Sequence, residues 1–276
     1  MTIDFKKYKR IFAFGCSFTS YGWPTWADLI AYEAPDSQYF NYGHAGIGNV
    51  GIACKIGEAN QRYKFTEDDL VMVMWSTFSR LDYWVDGGWR CDGNVWNSGK
   101  SIEWLKKYAD VIGYMVRDHG IISLTNNFLK SCGCESLILR SSTFDGNEGP
   151  RISPTDGENA WLVELSNLYQ EDYDKLPTSL YTCLGNRWGG IPNDVVTILE
   201  DHDPRVKPEI RVDGHPRTTT YLRFLNTIGI ELSDSTKQYA IDSDNKMRDT
   251  VRRTVLMEEF NKYFVKRQGT HFKPLF

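Results

Sequence analysis

Ser17 lies in the stretch Gly15, Cys16, Ser17, Phe18, Thr19, directly after the short apolar run RIFAF and before a segment with apolar residues at helical spacing. A strand, a sharp turn and a helix in that order place the serine hydroxyl at the carboxyl end of a strand, beside a helix N-terminus. Ligands bind at that edge in open α/β sheets. A serine alone is a weak nucleophile, so it needs a base to take its proton and donors to hold the oxyanion that forms on an attacked carbonyl. Two plainer chemistries compete. Ser17 could cap the helix that follows it. The Cys16 thiol could act as nucleophile near a helix N-terminus, although its expected direction, toward the neighbouring strand or helix, favours buried packing.

The surrounding pattern supplies the elements such a turn requires. Residues 10–15, 38–42, 70–75 and 136–140 are short apolar runs bounded by charge, glycine or turn residues, as expected of buried parallel strands. Between them, residues 23–34, 49–62 and 102–132 carry helical periodicity, the last as one or two helices. Alternation of this kind predicts a three-layer α/β/α sandwich around a flavodoxin-like parallel sheet of about five strands. The chain reads as one domain over residues 1–276. Residues 145–211 are rich in Gly, Pro, Asp and Asn and read as an insertion, with a short helix over 161–169. Residues 216–228 resume helical character. A charged C-terminal helical extension follows over residues 232–276, its amphipathic pattern strongest at 237–266.

Composition narrows the class of partner. The formal net charge of −4 argues against a general grip on nucleic acid, which needs a basic face. No apolar run reaches the length of a membrane span and no cleavable leader follows the N-terminus, so a cytoplasmic protein is expected. The six cysteines are scattered through a chain large enough to need no disulfide framework. Cys132 and Cys134 lack the second pair or histidine cluster of a zinc site, so no metal is expected. Gly46, Gly48 and Gly51 do not complete a dinucleotide fingerprint and do not follow the first strand, so no cofactor is expected.

The run FAFGCSFTSYG resembles the first conserved block of the SGNH/GDSL hydrolases, with Cys16 where the usual aspartate stands and Ser17 at the nucleophile position. The resemblance implies that Gly46, in NYGHAGIGN, supplies an oxyanion backbone amide. VDGHPRTTTYLRF is similar to the family's last block, which implies His215 as general base and Asp213 as its orienting carboxylate, with Asp203 in reserve because one residue rather than two separates Asp213 from His215. The family's third block normally carries a glycine and an asparagine, and Trp75, Ser76, Thr77 and Phe78 stand there instead. Asn49 is the expected replacement donor, alongside the Ser17 and Gly46 amides, with Ser76 or Thr77 as substitutes.

Trp75, Ser76 and Arg80 are further expected to meet substrate, although a salt bridge from Arg80 to Asp82 or Asp86 is the plainer reading. His44 lies close to the expected oxyanion region and stays unassigned. His119, His202 and His271 take a structural reading. Tryptophan-rich residues 84–104 suit a carbohydrate surface as well as internal packing. The expected function is hydrolysis of a small-molecule or carbohydrate ester, such as an O-acylated sugar, through an acyl-enzyme. Acyl transfer by the same intermediate is one alternative. The other is a binding module that kept the fold, with a virion or host-modifying role, since phage-encoded relatives share unusual third blocks.

Overall fold

The computed structural model describes residues 3–86, 88–95, 99–142, 156–184, 196–200, 209–213 and 215–251. Its centre is a parallel sheet of β1 (Arg10–Phe14), β2 (Gln38–Asn41), β3 (Asp69–Trp75) and β6 (Glu135–Arg140), in the order β2-β1-β3-β6. That order is the flavodoxin-like one expected from the alternating pattern, with four strands among the described residues. Arg10 and Asp69, partners in the register of β1 and β3, form a two-point ion pair at 2.6 Å for each contact. Asp69 is fully buried, so the pair strongly disfavours a one-residue slip.

Alternate strand residues feed two separate cores. Ile11 and Ala13 of β1 and Leu70, Met72 and Met74 of β3 pack against α1 (Trp26–Glu33), α8 (Thr218–Thr227) and α9 (Asp234–Val251). Phe12 and Phe14, with Val71, Val73 and Trp75, pack on the other side against α2 (Asn49–Tyr63) and α4 (Val111–Ser131). Both faces of the sheet are covered, which makes the three-layer sandwich and explains why its strands read as unbroken apolar runs. Residues 102–132, expected as one or two helices, form two, α3 (Ile102–Tyr108) and α4, separated where the Asp110 side chain accepts the Gly113 N–H at 3.0 Å.

An antiparallel hairpin of β4 (Arg80–Val85) and β5 (Gly88–Asn94) occupies the chain after the central strand, where the sequence suggested aromatic residues suited to a surface or to internal packing. Asp86 sits in the left-handed region at φ 51°, and the Asp86-Gly87 pair is a two-residue hairpin signal. The stretch expected as an insertion contains α5 (Asp156–Leu168), α6 (Gln170–Asp174), α7 (Leu180–Cys183) and β7 (Val196–Glu200), which pairs with β8 (Glu209–Asp213). No helix among the described residues is long and apolar enough to cross a membrane.

Candidate active site

β1 ends at Phe14 and the chain turns at once: the N–H groups of Thr19 and Ser20 both donate to the Cys16 carbonyl, at 2.9 and 3.2 Å. Gly15 is required there. A Cβ on it would lie 2.1 Å from Thr19 Oγ1 and 3.0 Å from the Met74 carbonyl, so any side chain would push the turn off the sheet. Ser17 stands in this turn at 8% exposure. Cys16 is fully buried among Phe12 and Phe14, which is the packing position. Ser17 does not cap α1, whose N-cap is Thr25, with the Asp28 carboxylate accepting the Thr25 N–H at 2.8 Å. Capping therefore leaves the Ser17 hydroxyl uncommitted.

The loop after β2 is stitched to this turn. The Tyr42 N–H donates to Ala13 and the His44 N–H to Gly15, at 2.8 and 2.9 Å. The Asn41 side chain donates to the Thr19 carbonyl at 2.9 Å and accepts the Gly43 N–H at 2.9 Å. Gly46 then adopts φ 79°, and a Cβ on it would lie 2.8 Å from the Cys91 carbonyl of β5. Glycine is thus demanded twice, by conformation and by the hairpin leaning on it. Among the described residues, neither the Ser17 nor the Gly46 N–H makes a hydrogen bond.

His215 is brought to the same place from the far end of the chain. Its ring stacks on Tyr21 with centroids 3.7 Å apart and 17° between planes, and lies 5.4 Å from the Phe18 ring. Two buried bonds fix the approach: the Trp23 indole N–H donates to the Pro216 carbonyl at 2.7 Å, and the Thr218 hydroxyl to the Pro24 carbonyl at 3.0 Å. Asp244 of α9 caps α8 by accepting from the N–H groups of Thr218 and Thr219 and from the Thr219 hydroxyl. Burial pushes the Asp244 carboxyl up from its ordinary range, and these hydrogen bonds oppose that shift. Asp213 closes β8, but its side chain, like the whole of Asp203, lies outside the described residues. His202 and His271 lie outside them too.

Four expectations are corrected here. The Asn49 side chain is no spare oxyanion donor, because its Nδ2 donates to the Ser76 carbonyl at 3.1 Å and to Asp118 at 2.9 Å, while its Oδ1 accepts the Ser76 N–H at 2.8 Å. Trp75 is fully buried with its indole N–H 3.3 Å from Asn126, so it is a core residue and not a substrate contact. Ser76 is likewise fully buried, which removes it from direct reach of a ligand, and Thr77 beside it is 4% exposed. Arg80 is buried too; its Nη1 donates to the Ile47 carbonyl at 2.8 Å, and among the described residues it pairs with neither Asp82 nor Asp86.

What the sequence missed is a polar brace behind the loop that follows β2. Asp82 of β4 accepts from the Gly48 and Gly51 N–H groups at 2.7 and 2.9 Å and so caps α2 from outside. Asp118 of α4, fully buried, is held between Arg117 Nε at 2.6 Å and Asn49. Burial raises the Asp118 carboxyl, and Arg117 and Asn49 oppose the rise. Arg117 also donates to the Arg80 carbonyl at 2.9 Å, which closes the brace between α2, α4 and β4.

No family model and no curated protein matches this sequence. Solved structures do align with it. A Bacteroides fragilis protein described provisionally as an acylhydrolase shares 17% identity over 88% of each chain, with a TM-score of 0.39. A Bacillus subtilis protein, YXIM, shares 12% identity over 88% of this chain and 57% of its own, with a TM-score of 0.36.

Proposed function

We propose that this protein is a serine hydrolase of the SGNH type that cleaves carboxylic esters through an acyl-enzyme. The observation that carries the reading is the His215 ring stacked on Tyr21, against the same turn that holds Ser17. Ser17 Oγ attacks the acyl carbonyl while His215 takes its proton. The Ser17 and Gly46 amides, which make no hydrogen bond among the described residues, receive the oxyanion. His215 then returns the proton to the departing alcohol, and water, activated by the same imidazole, releases the acid. Asp213 is the proposed orienting carboxylate.

An O-acylated carbohydrate is the proposed substrate class. The hairpin that leans on Gly46 exposes Tyr83 and Trp84, at 37% and 40%, and sugar rings stack on such side chains. The test is hydrolysis of a p-nitrophenyl acyl ester and of an acetylated sugar by wild type, Ser17→Ala and His215→Ala. Loss of at least about 10³-fold in both variants is expected, as for removal of one member of a nucleophile–base pair. Full activity in folded Ser17→Ala would refute the mechanism. Inactivity of folded wild type toward every ester would leave a binding module.

A further inference from the structure

The hydrolase reading leaves one component without an owner, since the family's third-block asparagine is absent and Asn49 is fully engaged. The loop after β2 contains a histidine held against a buried lysine. His44 Nδ1 lies 3.3 Å from Nζ of Lys55, a residue only 8% exposed whose ammonium also points at the Tyr42 carbonyl at 3.5 Å. An ammonium has donors and no acceptor, so with Lys55 charged His44 accepts through Nδ1; burial pushes the Lys55 pKa down, and Glu58, Asp82 and Cys91 oppose that shift. The proton of the neutral imidazole is then on Nε2, which has no hydrogen-bond partner among the described residues.

Position adds to tautomer. His44 is tied through its N–H to Gly15, two residues before Ser17, and stands two residues before Gly46. Burial and the adjacent Lys55 charge push the His44 pKa down, against a weaker pull from Asp82. Around Lys55 the remaining ionisable groups are Cys91 and Asp82 from the hairpin and Glu58 from α2; burial pushes the Cys91 thiol up to about 12, so it stays neutral. Burial and the Lys55 charge thus both favour the neutral imidazole at His44.

Resting on the hydrolase reading above, we propose that His44 is a further catalytic residue whose Nε2–H donates to the oxyanion, in the place of the missing asparagine, with Lys55 as the positioning residue that fixes its tautomer. The proposal is tested on the full chain in two ways. Nitrogen-15 NMR of the imidazoles should show His44 as the Nε2-protonated neutral form at pH 7 in wild type, and a mixed tautomer in Lys55→Met. In ester hydrolysis, His44→Ala should lower kcat by about 10²-fold with KM little changed, the usual cost of one oxyanion donor. His44→Gln, which keeps a side-chain N–H, should recover part of that loss. Lys55→Met should fall between wild type and His44→Ala. An Nδ1-protonated His44, or wild-type kcat in folded His44→Ala while Ser17 still reacts with a fluorophosphonate, would overturn the role of His44 alone. Failure of wild-type Ser17 to react would overturn the hydrolase reading and this role together.

Discussion

Helices α2 and α8 both begin without a capping side chain of their own, at Gly48 and Arg217, and each takes a carboxylate from elsewhere: Asp82 of β4 for α2 and Asp244 of α9 for α8. One cap holds the loop that carries Gly46 and the other holds the segment that carries His215. Their surroundings differ. Around Gly46 the loop is also bonded to β1, to Arg80 and, through Asn49 and Ser76, to the end of the central strand. Around His215 the described contacts include the Pro216 and Thr218 bonds to Trp23 and Pro24, the stack on Tyr21 and the Phe18 ring. Among the described residues the Ser17 and Gly46 side is tied to β1, β3 and β4, and the His215 side to the segment between β1 and α1 and to α9. Single changes should cost stability on the first side and activity on the second.

The largest stability effect is expected from Asn49→Ala. It strands the Ser76 N–H and carbonyl and removes a partner from buried Asp118, three polar groups at once. A loss of about 3 kcal/mol or more is expected from the cost of leaving buried groups unsatisfied, read as a lower denaturant midpoint. A loss under about 1 kcal/mol would mean that the brace is not a unit.

Next in size is an acid response on the α4 side. His119 is fully buried against Phe78, Tyr169 and Tyr173, neither ring nitrogen has a hydrogen-bond partner among the described residues, and burial pushes its pKa down to about 4. The folded state thus favours the neutral ring. Its share of stability is complete above the unfolded histidine pKa of about 6.5 and is lost as pH falls toward 4, by up to about 3 kcal/mol. Chemical unfolding at pH 7 and pH 4.5 should show that decline in wild type, with the decline clearly reduced in His119→Phe.

The paired caps give the smallest stability effects and the sharpest comparison. Asp244→Ala and Asp82→Ala should each cost about 1 kcal/mol, the usual worth of a cap. Ester hydrolysis should separate them: roughly tenfold or more lost in Asp244→Ala, where His215 loses its anchor, and less in Asp82→Ala, where other bonds hold the loop. Equal activity losses would show that the two sides are equally constrained.

Much of this frame was legible in the sequence. The runs that became β1, β2, β3 and β6 are apolar because both faces of the sheet are covered, and the turn at Gly15 to Thr19 follows from the strand before it. The resemblance pointed to His215 in a loop before the last helix of its block, and its ring contacts Phe18 and Tyr21. What failed has a common cause. Asn49 was legible as a residue near the loop after β2, but its amide is consumed by Ser76 and by Asp118, the latter 69 residues away on another element. Trp75 looked like a substrate contact, yet it ends a strand buried on both faces. The hairpin announced itself only through Asp86-Gly87, and its role as an external cap for α2 depends on a contact that no local pattern records.

The most direct test of the central claim is reaction of the purified protein with a fluorophosphonate, followed by peptide mapping of the adduct. An activated serine at this turn predicts a single adduct on Ser17, abolished in Ser17→Ala and at least about 10²-fold slower to form in His215→Ala. An unmodified Ser17 in folded wild type, or an adduct whose rate ignores His215, would contradict the account.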